Sequence, residues 1–415
     1  MITKLSESDS IAVRELTSDE HGVASNLLKG PVVISPKGNS SRTSLEKYLA
    51  TNSDEILNCV AAHGAILIRG FDLKCSDDFE KAVLSIDGMQ GMSEVLMAEV
   101  GRTRADNSRF VMHTNTMYKT GGSFEFNALH NENFYTPDVP RFISFFCLQP
   151  SAFGGETGIV DMSAVYSELP EQLQRRLEEK TFICDLMLVS EILARYKIEL
   201  SCFRDFCQNV GLSIRKINDE LVVPLYKACV VVNPTTAEKA LITNISAELH
   251  ERGLKAQIID QFAREYRGTK WILHKFWWAN PWVGRFAEIL AYPGLWWKRT
   301  YARWRNSSAP PDAELQALRL RRLGHQFSSA DVRDVAASIK RNFYSFAWEK
   351  GDVLILDNLK MAHMGMPGFG KRQLRAMICN PSLICWSEEG SGLCKPQLVR
   401  ECLGERLACA QVGSI

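Results

Sequence analysis

Only one histidine of this chain has a carboxylate two residues further on, in the tripeptide His130-Asn131-Glu132. The chain has eight histidines, so a single match of this kind is weak evidence when taken alone. Its context strengthens it, because the segment from Phe124 to Tyr135 is predicted to be a strand. Side chains two residues apart on a strand point to the same face. His130 and Glu132 would therefore project together as a chelating pair.

A second imidazole would complete a set of two histidines and one carboxylate. Such a set holds Fe(II) on one face and leaves coordination positions open for oxygen chemistry. His363 is the natural candidate, because it comes just after the predicted strand Val353 to Asp357. The alternative is that His130, Glu132 and His363 are hydrogen-bonded polar groups in a β-rich core.

Arg375 is the second unusual residue. It lies among apolar neighbours on the predicted strand Arg372 to Cys379, where a buried guanidinium needs a carboxylate partner. Arginine is suited to binding a carboxylate through two parallel hydrogen bonds. The dicarboxylate 2-oxoglutarate would provide that partner, with its keto-acid end on the metal. The structural alternative for Arg375 is an internal ion pair.

The remaining patterns indicate the elements that position these residues, in a mixed but β-rich chain. Residues 245–342 read mainly as helix, and seven of the nine tryptophans fall within 271–304. We interpret 245–342 as a helical insertion or lid, with a protein-partner surface and a membrane-surface contact as alternatives for its tryptophans. Further predicted elements are a helix at Ser44 to His63, a buried strand at Gly64 to Phe71, a strand at Phe142 to Leu148 and a helix N-capped by Ser163.

Composition excludes several other classes of protein. The net charge of +1 gives no electrostatic footprint for nucleic acid, and no apolar run approaches the roughly 20 residues of a membrane span. Twelve cysteines occur without a Cys-x-x-Cys pair, which argues against a four-cysteine zinc site and favours free thiols. The polar first residues lack the features of a secretory signal, so we expect a cytoplasmic protein.

The chain resembles the TauD/TfdA superfamily of Fe(II)/2-oxoglutarate dioxygenases, and within it the clavaminate synthase-like and SyrP-like members. The resemblance extends over most of the chain in family order. Its motifs are Gly64-Ala-Ile-Leu-Ile-Arg-Gly-Phe71, Leu129-His-Asn-Glu132, Phe145-Phe-Cys-Leu-Gln-Pro150, Gly154-Gly-Glu-Thr157 with Asp161, Lys350-Gly-Asp-Val-Leu-Ile-Leu-Asp-Asn358, and His363 with Arg375.

This resemblance implies one catalytic domain over residues 1–415, built on a double-stranded β-helix (jelly-roll) core with flanking helices. It implies an iron site at the two histidines and Glu132, and 2-oxoglutarate binding by Thr157 and Arg375. Arg372 ranks lower, because strand alternation places it opposite Arg375. The implied reaction uses O2 and releases succinate and CO2.

The implied substrate is a small molecule related to an amino acid, free or tethered to a carrier protein, in natural-product biosynthesis. Hydroxylation is the leading outcome, with desaturation or cyclisation as alternatives. Glu132 argues against halogenation, because the related halogenases carry a small residue at that position. Two rivals remain: a non-catalytic binding protein on the same barrel, and an iron oxygenase that needs no cosubstrate.

Overall fold

The computed structural model describes most of the chain, and all structural statements below refer to those residues. They are 5–22, 25–92, 104–106, 108–114, 122–123, 127–136, 138–209, 212–217, 219–263, 293–294, 297 and 313–383. The strands are β1 (Ile11–Arg14), β2 (Val32–Pro36), β3 (Ala65–Ile68), β4 (Met112–His113), β5 (Gly122–Ser123), β6 (Asn127–His130), β7 (Asp138–Gln149), β8 (Phe153–Gly154), β9 (Thr157–Asp161), β10 (Thr181–Leu188), β11 (Arg215–Ile217), β12 (Glu220–Ala228), β13 (Val230–Val232), β14 (Lys239–Leu241), β15 (Phe343–Phe346), β16 (Val353–Asp357), β17 (Met361–Gly365), β18 (Gly368–Phe369) and β19 (Gln373–Leu383).

The helices lie before, between and beside these strands, so the chain is a mixed, β-rich protein as predicted. They are α1 (Arg42–Thr51), α2 (Ser53–His63), α3 (Ser76–Leu84), α4 (Met162–Ser167), α5 (Glu171–Glu178), α6 (Val189–Tyr196), α7 (Leu200–Asn209), α8 (Ile245–Glu248), α9 (Leu254–Ala263), α10 (Ala313–Leu320) and α11 (Ser329–Arg341), with a 3-10 helix at Leu323–Gln326.

The largest sheet has seven strands in the order β1-β2-β3-β16-β7-β19-β4. Around its central strands both faces are apolar, because alternate side chains of β3, β16, β7 and β19 enter different cores. On β7, Phe142 and Phe146 pack with helices α1 to α3, whereas Phe145 and Cys147 face the opposite way. Burial on both faces explains the nearly continuous apolar run of this strand.

A four-stranded sheet, in the order β15-β9-β17-β6, packs against that opposite face. Ile159, Tyr344 and Met361 from the smaller sheet share one core with Phe145 and Leu354 from the larger. The other side of the smaller sheet packs on α4, α5, α9 and α11. The arrangement is two facing sheets with helices outside each.

Local signals explain where the first helices begin and end. Ser41 caps α1, and its hydroxyl accepts a hydrogen bond from the Ser44 amide at 3.3 Å. Asn52 separates α1 from α2, so the predicted helix at Ser44 to His63 is present as two. Gly64 ends α2 with a left-handed φ of 81°, which favours glycine. The predicted strand that follows is confirmed as β3.

One predicted helix cap is wrong. Ser163 lies inside α4, and Asp161 is the residue that caps it, since its carboxylate accepts hydrogen bonds from the amides of Ser163 and Ala164 at 3.0 Å. Both residues are good N-caps. The choice is decided by β9, which ends at Asp161 and leaves this carboxylate at the start of the helix.

The chain between β9 and β15 forms a long excursion from the two sheets. It includes a three-stranded sheet, β10-β12-β11, with α6 and α7 packed on it around their own apolar cluster. The sequence patterns did not predict this sheet. Within 245–342 the described residues are mainly helical, and most of the tryptophan-rich stretch 271–304 lies outside them. No helix in the described ranges is long and apolar enough to cross a membrane.

Candidate metal centre and active site

Three side chains predicted to act together do meet on the inner face of the four-stranded sheet. His130 ends β6 and His363 lies in the middle of β17, and the two are direct partners in the strand register. Their rings are 4.5 Å apart between centroids. Glu132 Oε2 lies 3.8 Å from His130 Nε2 and 3.7 Å from His363 Nε2. One carboxylate oxygen and two imidazole nitrogens therefore converge on one point.

The route by which Glu132 reaches this point differs from the prediction. A strand from Phe124 to Tyr135 is wrong at its end, because β6 stops at His130 and Glu132 lies in the following turn. Asn133 adopts a left-handed φ of 50°, a conformation that asparagine tolerates better than most residues. The carboxylate is therefore brought to the imidazoles by a turn and not by strand alternation.

The environment suits a cation. Glu132 and His363 are buried, His130 is partly exposed, and the Phe145 ring lies 5.1 Å from the His363 ring. Imidazole nitrogens and carboxylate oxygens carry lone pairs, so placing three of them within 4.8 Å of one another is favourable when a positive ion lies between them. Among the described residues this is the one group of three potential metal ligands. The donor set fits Fe(II).

Two asparagines that the sequence patterns did not single out hold this group together. The Asn358 carboxamide accepts a hydrogen bond from the Glu132 amide at 2.7 Å and donates to the Glu132 carbonyl at 3.0 Å. Asn131 donates to the carbonyls of Asn358 at 2.9 Å and Met361 at 3.2 Å. The available signal was an Asn directly after a buried strand, at Asp357-Asn358, and an Asn between two chelating residues.

Thr157 lies on the same inner face of the four-stranded sheet. It begins β9, and Ile159, two residues later, is the direct partner of His363. The Thr157 hydroxyl accepts a hydrogen bond from the Trp348 indole nitrogen at 3.2 Å. Gly154 is required just before, because its φ is 61° and a Cβ there would meet the Pro367 carbonyl oxygen at 2.4 Å.

Arg372 and Arg375 differ in the direction they face. Arg372 precedes β19 and donates from Nη1 to the Gly155 carbonyl oxygen at 2.5 Å, two residues from Thr157. Arg375 is paired with Phe146, which stacks on Phe79 of α3. Directly opposed residues of antiparallel strands share a face. Arg375 therefore lies on the helix side of the large sheet and faces away from Arg372, and the strand has a bulge after Gln373.

Glu156, between the glycines and Thr157, is a buried carboxyl group. Burial raises its pKa to about 7, and the nearby Arg372 guanidinium opposes that rise. Cys147, on the inner core, has its thiol pKa raised to about 12, again by burial. Both groups are therefore shielded from water, and the positive charge of Arg372 opposes the rise in pKa of each.

Comparison with known proteins agrees with the residue pattern. The family model described as taurine catabolism dioxygenase TauD, TfdA family, matches residues 32–187. The dapdiamide synthesis protein DdaC of Enterobacter agglomerans is 24% identical over 355 residues, which are 85% of this chain and 92% of DdaC.

Two solved structures also align over most of the chain, each at 12% identity. PvcB of Pseudomonas aeruginosa aligns with a TM-score of 0.43, over 90% of this chain and 93% of PvcB. AAD-2, solved in complex with Mn(II) and N-oxalylglycine, aligns with a TM-score of 0.41, over 90% of this chain and 99% of AAD-2.

Proposed function

Because the chain belongs to the TauD/TfdA family of 2-oxoglutarate-dependent dioxygenases, we propose that it hydroxylates an unactivated C–H bond of an amino acid or a related small molecule. Succinate and CO2 would be the coproducts of 2-oxoglutarate. The convergence of His130, Glu132 and His363 is the observation that carries this proposal. A biosynthetic role is supported by the similarity to DdaC, which is named for dapdiamide synthesis.

His130, Glu132 and His363 would hold the iron. Bound there, Fe(II) supplies the oxygen-activating chemistry that couples decarboxylation of 2-oxoglutarate to oxidation of the substrate. The two neutral imidazoles and one carboxylate leave a net positive charge at the site, which favours binding of the anionic keto acid. Phe145 and the apolar inner core around it exclude water and so protect the reaction from side products.

For the distal carboxylate of 2-oxoglutarate, we assign Thr157 and Arg372 as the binding residues. Thr157 shares the inner face with the metal group, and Arg372 contacts the backbone just before it. Arg375, the residue favoured from sequence, lies on the other side of β19. Because it lies beside Phe146 on the helix side, we assign it a structural role.

The order of the core strands supports a double-stranded β-helix. From β6 onwards the core strands cross repeatedly between the two sheets: β6, β9, β15 and β17 lie in the smaller sheet, and β7, β16 and β19 in the larger. We interpret this as the double-stranded β-helix of a single catalytic domain over 1–415. In this interpretation the helical stretch 245–342 belongs to an insertion between the two halves of the barrel.

The test is an anaerobic titration of the metal-free protein with Fe(II) and 2-oxoglutarate, followed through the visible charge-transfer band of the chelated keto acid. We expect the band in the wild-type protein and its loss in His363→Ala. Folded protein that binds iron without producing the band would indicate an oxygenase that needs no cosubstrate. Folded protein that binds neither would indicate a binding protein on this fold.

The same titration separates the two arginines. We expect Arg372→Ala to weaken 2-oxoglutarate binding about 10- to 100-fold, because a hydrogen bond to a charged group contributes about 1.5 to 3 kcal/mol. Arg375→Ala is the matched variant three residues away and is expected to have the smaller effect. A larger loss in Arg375→Ala would restore the assignment made from sequence.

Substrate identity is then approached by screening. Free amino acids and their derivatives are compared with the same compounds tethered to a carrier protein, and succinate release is measured for each. Mass spectrometry of the product distinguishes hydroxylation, a gain of one oxygen, from desaturation or cyclisation, a loss of two hydrogens. Succinate formed only with tethered compounds would identify the carrier-bound form as the substrate.

A further inference from the structure

We propose that Asn358 is a positioning residue that fixes Glu132 relative to His363 and thereby sets the metal affinity of the site. This inference rests on the proposed function, since it concerns the same three ligands. Asn358 lies five residues before His363 along the chain and 226 residues from Glu132. It therefore joins the two segments that would have to stay in register for one ion to be held.

The contacts of Asn358 are specific for a carboxamide. Its oxygen accepts from the Glu132 amide at 2.7 Å, and its nitrogen donates to the Glu132 carbonyl at 3.0 Å and to the Pro140 carbonyl at 2.8 Å. A side chain needs both a donor and an acceptor to make this set, and an amide supplies both. The residue is completely buried, so water does not replace these bonds if they are lost.

Asn131 extends the same connection, and we refer to Asn131 and Asn358 as the asparagine clamp. Asn131 donates to the carbonyls of Asn358 and Met361, which flank the turn before His363. It also accepts from the Thr243 amide at 3.1 Å, while its own amide donates to the Thr243 carbonyl at 3.1 Å. The start of the turn that carries Glu132 is thus tied to the residues just before His363.

The clamp matters because Glu132 does not lie on a strand. His130 and His363 are held in register by the sheet, whereas the position of Glu132 depends on the turn after β6. Side chains that orient metal ligands from outside the coordination sphere typically contribute 10- to 100-fold to metal affinity. We expect a loss in this range when the carboxamide of Asn358 is removed.

The test measures metal binding directly and does not depend on turnover. Metal-free wild-type protein, Asn358→Ala and Asn358→Asp are titrated anaerobically with Co(II), a redox-stable probe whose visible bands report ligand geometry. Asp keeps the acceptor for the Glu132 amide but loses both donated bonds. We expect the Co(II) dissociation constant to rise about 10- to 100-fold in Asn358→Ala, with altered bands, and by at least as much in Asn358→Asp, whose carboxylate would face the carbonyl oxygens of Glu132 and Pro140.

Asn342→Ala is the matched control for general destabilisation. Asn342 is also buried, and its carboxamide donates to Glu168 and to Ser338, beside the C-terminal end of α11. Thermal unfolding of the metal-free proteins is expected to show that both alanine variants are less stable. Only the Asn358 variants should lose Co(II) affinity.

Three results separate the possible failures. Co(II) binding within twofold of wild type in a folded Asn358 variant would overturn the inference and leave the proposed function intact. An equal loss of affinity in Asn342→Ala would also overturn it, because the effect would then follow stability. Failure of the wild-type protein to bind would overturn the proposed function, and the inference with it. If Asn358→Ala does not fold, Asn358→Ser, whose hydroxyl keeps one donor and one acceptor without a charge, decides.

Discussion

Two buried polar clusters of this protein satisfy their charges in different ways. In the first, Arg69 donates from Nε and Nη2 to the two carboxylate oxygens of Asp352, at 3.1 Å and 2.7 Å, and Nη1 contacts Glu20 and Glu349. In the second, the Glu132 carboxylate faces two imidazoles. The first cluster contains its own cation, and the second gathers groups that would share one taken from solution.

Glu156 is a buried carboxyl group that is neutralised in a third way. Burial raises its pKa to about 7, so a proton neutralises it below about pH 7. Burial also raises the pKa of Asp352, to about 6, but the Arg69 guanidinium is hydrogen-bonded to both of its carboxylate oxygens. These three buried carboxyl groups are thus balanced by an internal cation, by a proton and, in our proposal, by a metal ion.

The largest expected effect comes from removing one imidazole. His363→Ala should lower metal affinity and succinate formation by more than about 100-fold, beyond the usual effect of changing a residue that only orients a ligand. His63→Ala, an exposed histidine at the end of α2, is the control and should leave both unchanged. Metal binding and turnover retained in His363→Ala would remove the distinction between the two clusters.

The next largest effect is expected on stability, in the cluster of Arg69 and Asp352. Arg69→Met should lower the free energy of unfolding by about 3 to 5 kcal/mol, because it leaves the Asp352 carboxylate buried without its cation. Urea denaturation measures this change. The double variant Arg69→Met with Asp352→Asn should recover part of the loss, since the uncompensated charge is gone. Metal affinity of the folded variant should stay at the wild-type value, in contrast to His363→Ala.

The sequence predicted more of the site than of the route by which the chain forms it. That His130, Glu132 and His363 lie together followed from residue types and order, and their role as ligands stays a prediction. The strand that was expected to carry Glu132 ends too early, because the left-handed Asn133 and the bonds of Asn358 shape a turn there. A contact between residues 226 positions apart leaves no local pattern to detect.

The strands of the two sheets were largely predictable for a physical reason. Segments such as Phe142 to Leu148 are buried on both faces, so they are continuously apolar and bounded by turn residues. The sequence patterns did not indicate which face of β19 is the inner one, because side chains on both faces of this strand are apolar and buried. The three-stranded sheet at β10 to β12 was not predicted, because β12 is buried along most of its length and a short continuous apolar run fits a buried helix equally well.

Glu156→Gln tests the buried carboxyl group that is neutralised by a proton. The folded-state pKa of about 7 exceeds the ordinary value of 4.5, so the folded protein holds an additional proton between these pH values. Its stability therefore falls as pH rises from 4.5 to 7. The neutral Gln removes this dependence. Between pH 4.5 and pH 8 the free energy of unfolding of the variant should therefore rise, relative to that of the wild type, by up to about 3 kcal/mol. An equal change in the free energy of unfolding of wild type and variant between the two pH values would contradict this.

The smallest effect is expected where charges stay in water. Lys81 Nζ and Asp77 Oδ2 are 2.7 Å apart one turn along α3, and both side chains are more than half exposed. The distance equals that between Arg69 Nη2 and Asp352 Oδ2, but solvent screens the charges and hydrates either partner when the other is removed. Lys81→Gln should therefore change the free energy of unfolding by no more than about 0.5 kcal/mol. A loss comparable to that of Arg69→Met would mean that burial is not what separates the clusters.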